Sequence, residues 1–194
     1  NIPKLNITAE QGDYFQVLKR LQKTNHKKNV ILFLGSNIGN FTLLEVESFL
    51  TAIREKIFKN DLLFLGLDLK KNPNKILKAY SDSEGVTRDF NLNLLDRINR
   101  ELNANFNINA FKHYATYNPV NGECISTLIS AEQQEVMIDN QKFIFGQWEP
   151  IHTEISRKFS LKQIEIIAAK CGFIIEKNLM DKNEYFVDSI WKAI

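Results

Sequence analysis

The sequence predicts an α/β fold around a doubly wound sheet, and three observations carry that reading. The run Asn29 to Gly35 is unbroken Val-Ile-Leu-Phe-Leu closed by glycine, as in a strand buried on both faces of a parallel sheet. Helical and strand periods alternate from Tyr14 to Leu69, giving the helix, strand, helix, strand order of doubly wound sheets. From Phe111 the apolar period becomes two, which marks an inserted α+β segment of different character.

Each element follows from its pattern. Leu5 to Ile7 is a candidate strand before the first helix, Tyr14 to Lys23, in which Phe15, Leu18 and Leu21 recur at helical spacing. Leu43 to Phe58 places Leu44, Phe49, Leu50, Ile53 and Ile57 close to one helix face, and Leu62 to Leu69 is a second buried run with Asp68 near its end. Asn72-Pro73 signals a turn, Ile76 to Tyr80 a short helix, and Asp89 to Leu102 a longer one lined by Leu92, Leu95, Ile98 and Leu102. Phe111 to Tyr117, Glu123 to Ala131, Gln134 to Ile138 and Lys142 to Phe145 are then antiparallel strands joined by Asn118-Pro119, Asn121-Gly122 and Asp139-Asn140 turns. Ser160 caps a final helix with Ile164, Ile167 and Ala168 on one face, ended by Cys171-Gly172. Phe173 to Ile175 and Glu184 to Trp191 close the chain as strands.

Composition narrows the function. In 194 residues, 25 Lys+Arg stand against 23 Asp+Glu, for a net charge of +2. That balance argues against a nucleic-acid partner, which calls for a concentrated basic excess. No apolar run approaches the roughly 20 residues of a membrane helix, and the polar start has no signal-peptide layout, so a soluble, cytoplasmic protein is expected. Cys124 and Cys171 match no zinc or redox spacing, and His26, His113 and His152 are too scattered for a metal cluster, so no metal is expected. No Ser-His-Asp or Cys-His arrangement suggests a hydrolase.

Three places could carry ligand chemistry. In doubly wound sheets ligands bind at the carboxyl ends of strands, where Gly35-Ser36-Asn37-Ile38-Gly39-Asn40 falls; the segment is either a ligand-contact loop or a plain strand-to-helix turn, and it is no phosphate loop. Asp13-Tyr14 either holds a purine, by carboxylate and ring, or is a helix cap followed by a core aromatic. Glu154 and Ser156 would share a face if extended and suit a group with N–H donors, unless the stretch is a solvated edge or a helix start.

Three segments together then resemble a known family. Phe33 to Phe41 (FLGSNIGNF), Gly66 to His113 with its GVTRDFNLNLL block, and Ile151 to Ser160 (IHTEISRKFS) closely resemble the histidine-specific, S-adenosylmethionine-dependent methyltransferases of ergothioneine biosynthesis. The resemblance implies a partial Rossmann-like class I methyltransferase sheet from residues 1–70 and 158–194, with a substrate-binding lobe over 71–157. It implies S-adenosylmethionine as cofactor, contacted at Asp13 and Tyr14, with Asp13 meeting the adenine amino group. It places a small-molecule amino acid against Gly35, Asn40, Tyr80, Glu154 and Ser156. Of these, Asn40 takes the α-amino and carboxylate groups, Tyr80 the carboxylate, and Glu154 with Ser156 the imidazole. Asn40 and Tyr80 are expected on one side of the cleft and Glu154 and Ser156 on the other. No side chain need act as a general base if the neutral amine is selected. Asn37 stands where the family usually has Thr, and Cys124 where histidine-specific members often have Met. The family's Glu-x-Gly-x-Gly-type cofactor loop is not in the sequence, and the resemblance places it upstream of Asp13, so the chain is expected to be a C-terminal portion with part of the cofactor site. A methyltransferase acting on another amino acid or an indole-like amine, and a non-catalytic binding module, are the alternatives.

Overall fold

Apolar stripes at helical and strand spacing assemble into two cores. The computed structural model describes residues 6–24 and 28–194. The elements up to the second core are α1 (Tyr14–Thr24), β1 (Val30–Phe33), α2 (Leu43–Arg54), β2 (Leu62–Asp68), α3 (Pro73–Tyr80) and α4 (Val86–Glu101). The rest are β3 (Phe111–Asn118), β4 (Glu123–Ser130), β5 (Gln134–Ile138), β6 (Gln141–Phe145), β7 (Pro150–Arg157), α5 (Leu161–Lys170), β8 (Phe173–Met180) and β9 (Phe186–Ala193).

The first core lies on a four-stranded sheet in the order β1-β2-β9-β8. Its stripe on α2 is Val46, Leu50 and Ile53, spaced i, i+4, i+7, and Ile164, Ile167 and Ala168 of α5 join it with Trp191 of β9. Both helices open with a capping box, Thr42 with Glu45 and Ser160 with Gln163, which satisfies backbone N–H groups otherwise left without partners. Leu44 departs from the expected apolar face: it lies two residues before Val46, about 200° around the helix from the buried stripe, and is 76% exposed.

The sheet also differs from the parallel arrangement expected. Among the described residues only β1 and β2 pair as parallel strands of this sheet; β9 is antiparallel to both β2 and β8. The short Asp181–Tyr185 connection explains this, since a tight turn returns the chain alongside β8 and cannot make a parallel crossover. Nor is β1 buried on both faces. Ile31 and Phe33 pack on the core, whereas Val30 and Leu32 alternate onto the opposite face and are 54% and 62% exposed. The candidate strand Leu5 to Ile7 begins outside the described residues, and Ile7 itself belongs to no strand.

The second core gathers Leu95 of α4 with Phe106, Phe111, Leu128 and Val136, beneath a β3-β4-β7 sheet and a β5-β6 hairpin. Strand β4 alternates buried and half-buried positions along its length, as period-two patterning requires. The Asn118-Pro119, Asn121-Gly122 and Asp139-Asn140 turns fall between strands as expected.

One close approach fixes the loop after β1 against β7. A Cβ at Gly39 would stand 2.8 Å from the Arg157 carbonyl oxygen, a backbone atom with little freedom to move. Gly39→Ala should therefore destabilise the full-length protein by about 1–3 kcal/mol. A lowered urea midpoint at unchanged m-value is the expected reading; an unchanged midpoint would mean that the loop adjusts freely.

Candidate active site

The loop after β1 is shaped by its own short side chains. Gly35 and Ser36 both take left-handed backbone angles, with φ of 78° and 58°. The Asn37 amide donates to the Leu34 carbonyl at 3.1 Å, and the Ser36 hydroxyl oxygen accepts from the backbone N–H of Asp68 at 3.0 Å, tying the loop to the end of β2. Asn40 ends the 3-10 turn Asn37–Asn40 with its side chain exposed.

On the facing element, β7 is extended, so Glu154 and Ser156 share one face. Ser156 pairs with Cys124 across the β4–β7 ladder, and burial pushes the Cys124 thiol up to about 11, so it is an inert packing group beside Ser156. Beyond β7 the backbone is sewn to two other elements. Lys158 N–H donates to Gly122 O at 2.7 Å, Phe159 N–H to Asp68 O at 2.9 Å, and Lys70 N–H to Phe159 O at 2.8 Å. Gly122 makes the first of these possible: its φ is +82°, and a Cβ there would stand 2.1 Å from Lys158 O.

That stitching puts the Lys158 ammonium, 2% exposed, inside a polar cluster. Its Nζ donates to the Tyr80 hydroxyl at 2.7 Å and to Ser156 Oγ at 2.8 Å, and pairs with Asp68 Oδ2 at 2.9 Å. The Tyr80 hydroxyl in turn donates to Ser156 Oγ at 2.7 Å. Burial works against the charge, but the hydrogen bonds to Tyr80 and Asp68 and the attraction of Asp68 outweigh it, so Lys158 titrates above the ordinary lysine value. Lys71 pairs with the other oxygen of Asp68 at 2.5 Å.

These groups line a cavity of about 450 Å³. It brings together five residues singled out from the sequence: Gly35, Asn40, Tyr80, Glu154 and Ser156. Tyr80 and Ser156 do not face each other across it but touch, because Lys158 draws both oxygens to one ammonium. Sequence reasoning missed Lys158, Asp68 and Lys71. Lys158 had a signal, since it continues the period-two spacing of Glu154 and Ser156, and Asp68 is the polar residue closing the apolar run of β2. Glu154 also borders a smaller groove of about 280 Å³ lined by Phe90, Leu94 and Arg97 of α4.

Asp13 and Tyr14 lie outside this cavity. Asp13 caps α1, its Oδ1 accepting from the N–H groups of Phe15 at 3.0 Å and Gln16 at 3.1 Å. Tyr14 is no core aromatic; it is 69% exposed.

The cavity thus sets paired cations and carboxylates at the carboxyl ends of β1 and β2, the ligand-binding position of open α/β sheets. The model of the family described as histidine-specific methyltransferase, SAM-dependent, matches residues 1–193, and the chain belongs to that family. It is 33% identical over 172 residues to the histidine N-alpha-methyltransferase of Mycolicibacterium smegmatis, covering 88% of this chain and 53% of that protein. The enzyme of the same name from Mycobacterium tuberculosis is 34% identical over 170 residues, covering 87% and 52%. The L-tryptophan methyltransferase trpM of Psilocybe serbica is 24% identical over 161 residues, covering 80% and 44%. The chain thus spans about half the length of the curated relatives it matches.

The family's cofactor is S-adenosylmethionine. The Asp13 corner fits its adenine: both capping bonds fall on Oδ1, Oδ2 has no partner among the described residues, and the exposed Tyr14 ring lies next in the chain. A free carboxylate oxygen matches an exocyclic amine, and a phenol face matches a purine.

Proposed function

We propose that the chain is part of an enzyme that transfers methyl groups from S-adenosylmethionine to the α-amino group of L-histidine. The observation that carries this reading is the convergence of Asn40, Tyr80, Glu154 and Ser156 on one polar cavity in a chain of the histidine-specific family. Residues 1–70 and 158–194 are then the cofactor-binding part of the fold, and 71–157 the substrate lobe. The free, buried thiols of Cys124 and Cys171 support a reducing, cytoplasmic setting. A small amino acid is the partner on this reading, and no nucleic acid is involved.

When bound, the cofactor supplies an electrophilic methyl group on a sulfonium. The work left to the protein is alignment, because an in-line displacement needs the nucleophilic nitrogen held at close-attack distance. Asn40 and Tyr80 hold the α-amino and carboxylate end, next to the Gly35 backbone, and Glu154 and Ser156 hold the imidazole. Tyr80 and Ser156 touch at 2.7 Å, so the two ends of the ligand meet at that pair, with Asn40 and Glu154 as the further contact of each end. Glu154 also provides discrimination, since a carboxylate enclosed without an N–H donor is costly. Asp13 and Tyr14 hold the adenine end of the cofactor.

Mass spectrometry of the full-length protein's products with S-adenosylmethionine and an amino-acid panel including tryptophan tests the reading. Methylation of histidine alone is expected. Methylation of another amine would reassign the substrate, and no methylation by the folded, full-length protein would leave a binding module.

The assigned roles separate in binding titrations. Glu154→Ala should weaken histidine binding by about 10- to 100-fold, the loss of a charged hydrogen bond, with cofactor affinity within about 3-fold. Asp13→Ala should do the reverse. Equal losses for both ligands in either variant would contradict the assignment.

A further inference from the structure

Lys158 is the one buried ammonium of the cavity, and its hydrogens can be counted. It has three N–H donors, and three acceptors stand within reach: Tyr80 Oη at 2.7 Å, Ser156 Oγ at 2.8 Å and Asp68 Oδ2 at 2.9 Å. All three donors are spent inside the protein. Each hydroxyl oxygen therefore gives one of its two lone pairs to Lys158. The Tyr80–Ser156 bond at 2.7 Å consumes one further O–H and one further lone pair. What remains for a ligand is one O–H and one lone pair, on opposite members of the pair. If Tyr80 donates to Ser156, Ser156 is the outward donor and Tyr80 the outward acceptor. If the bond reverses, Tyr80 donates outward and Ser156 accepts.

We propose that Lys158 is a positioning residue that locks Tyr80 and Ser156 into a single donor–acceptor unit, so that a carboxylate received by Tyr80 obliges Ser156 to accept an N–H from the ring end. The inference rests on the functional reading above, in which those two ends belong to one amino acid. A carboxylate can only accept, so it selects the arrangement in which the Tyr80 O–H points outward. Ser156 must then donate to Tyr80, which leaves its one remaining lone pair toward the ring. Because the Glu154 carboxylate also only accepts, the ligand most favoured carries a carboxylate together with a ring that has N–H on both nitrogens, as in the imidazolium form of histidine. The Lys158 ammonium is held in turn by Asp68, which is itself fixed by Lys71 at 2.5 Å and by the Phe159 N–H at 2.9 Å to its carbonyl. Without Lys158 both oxygens regain a lone pair, and the rule linking the two ends lapses.

Calorimetric titration of the full-length protein with L-histidine and with histamine, which keeps the ring and lacks the carboxylate, tests this. In Lys158→Met, histidine affinity should fall by about 10- to 100-fold while histamine affinity stays within about 3-fold, so the preference for histidine over histamine collapses. Lys158→Gln, polar but uncharged, should show the same collapse in smaller measure and carries the test if the methionine variant does not fold. Tyr80→Phe should lower the preference on its own, and adding Lys158→Gln to it should lower the preference no further. Equal losses for both ligands, or an unchanged ratio, overturn the inference and leave Lys158 a structural residue. Failure of the unaltered protein to bind histidine overturns the functional reading, and this inference with it.

Discussion

Much of the site depends on a single crossing of the backbone. Where β7 leaves its own sheet, Phe159 donates to the carbonyl of Asp68 at the end of β2 and accepts from Lys70, while Lys158 donates to Gly122 in the β3–β4 turn. Three segments far apart in sequence are pinned within two residues. The loop after β1 joins the same point, through Ser36 Oγ on the Asp68 N–H and through Gly39 against the Arg157 backbone. Backbone hydrogen bonds in such a place are obligatory, because peptide groups there are not free to turn to water. The side chains that project from the crossing inherit its rigidity, which the proposed alignment of a substrate requires.

Electrostatics follows from that geometry. An ammonium removed from water is tolerated only when its lost hydration is replaced, and Lys158 finds a carboxylate and two hydroxyl oxygens. Asp68 serves Lys158 and Lys71 at once, so the cavity holds cations and carboxylates in balance with Glu154. That balance suits a ligand with both an amine and a carboxylate. The thiol of Cys124 adds no charge, because burial keeps it protonated.

Legibility in the sequence tracked the range of the interaction. Periodic elements were readable: the four antiparallel strands after Phe111 and the Ser160-capped helix lie where their patterns put them. The orientation of β9 was not, because period alone says nothing of which neighbour a strand pairs with. The exposure of Val30 and Leu32 was hidden as well, since an apolar run looks alike whether one or both faces of its sheet are covered. Within the site, Gly35, Asn40, Tyr80, Glu154 and Ser156 stand around one cavity, whereas Asp13 and Tyr14 lie outside it. Lys158 escaped because a lysine beside an arginine reads as a solvated charge; only the hairpin turn at Gly122 and the end of β2, both distant in the chain, bury it.

The most direct test of the account is a crystal structure of the full-length protein with L-histidine bound. The expected structure has the carboxylate on Asn40 and the Tyr80 hydroxyl, and the imidazole between Glu154 and Ser156, with Lys158 still bridging Tyr80 and Asp68. Histidine seated elsewhere, or with its ring on Tyr80 and its carboxylate directed to Glu154, would contradict it.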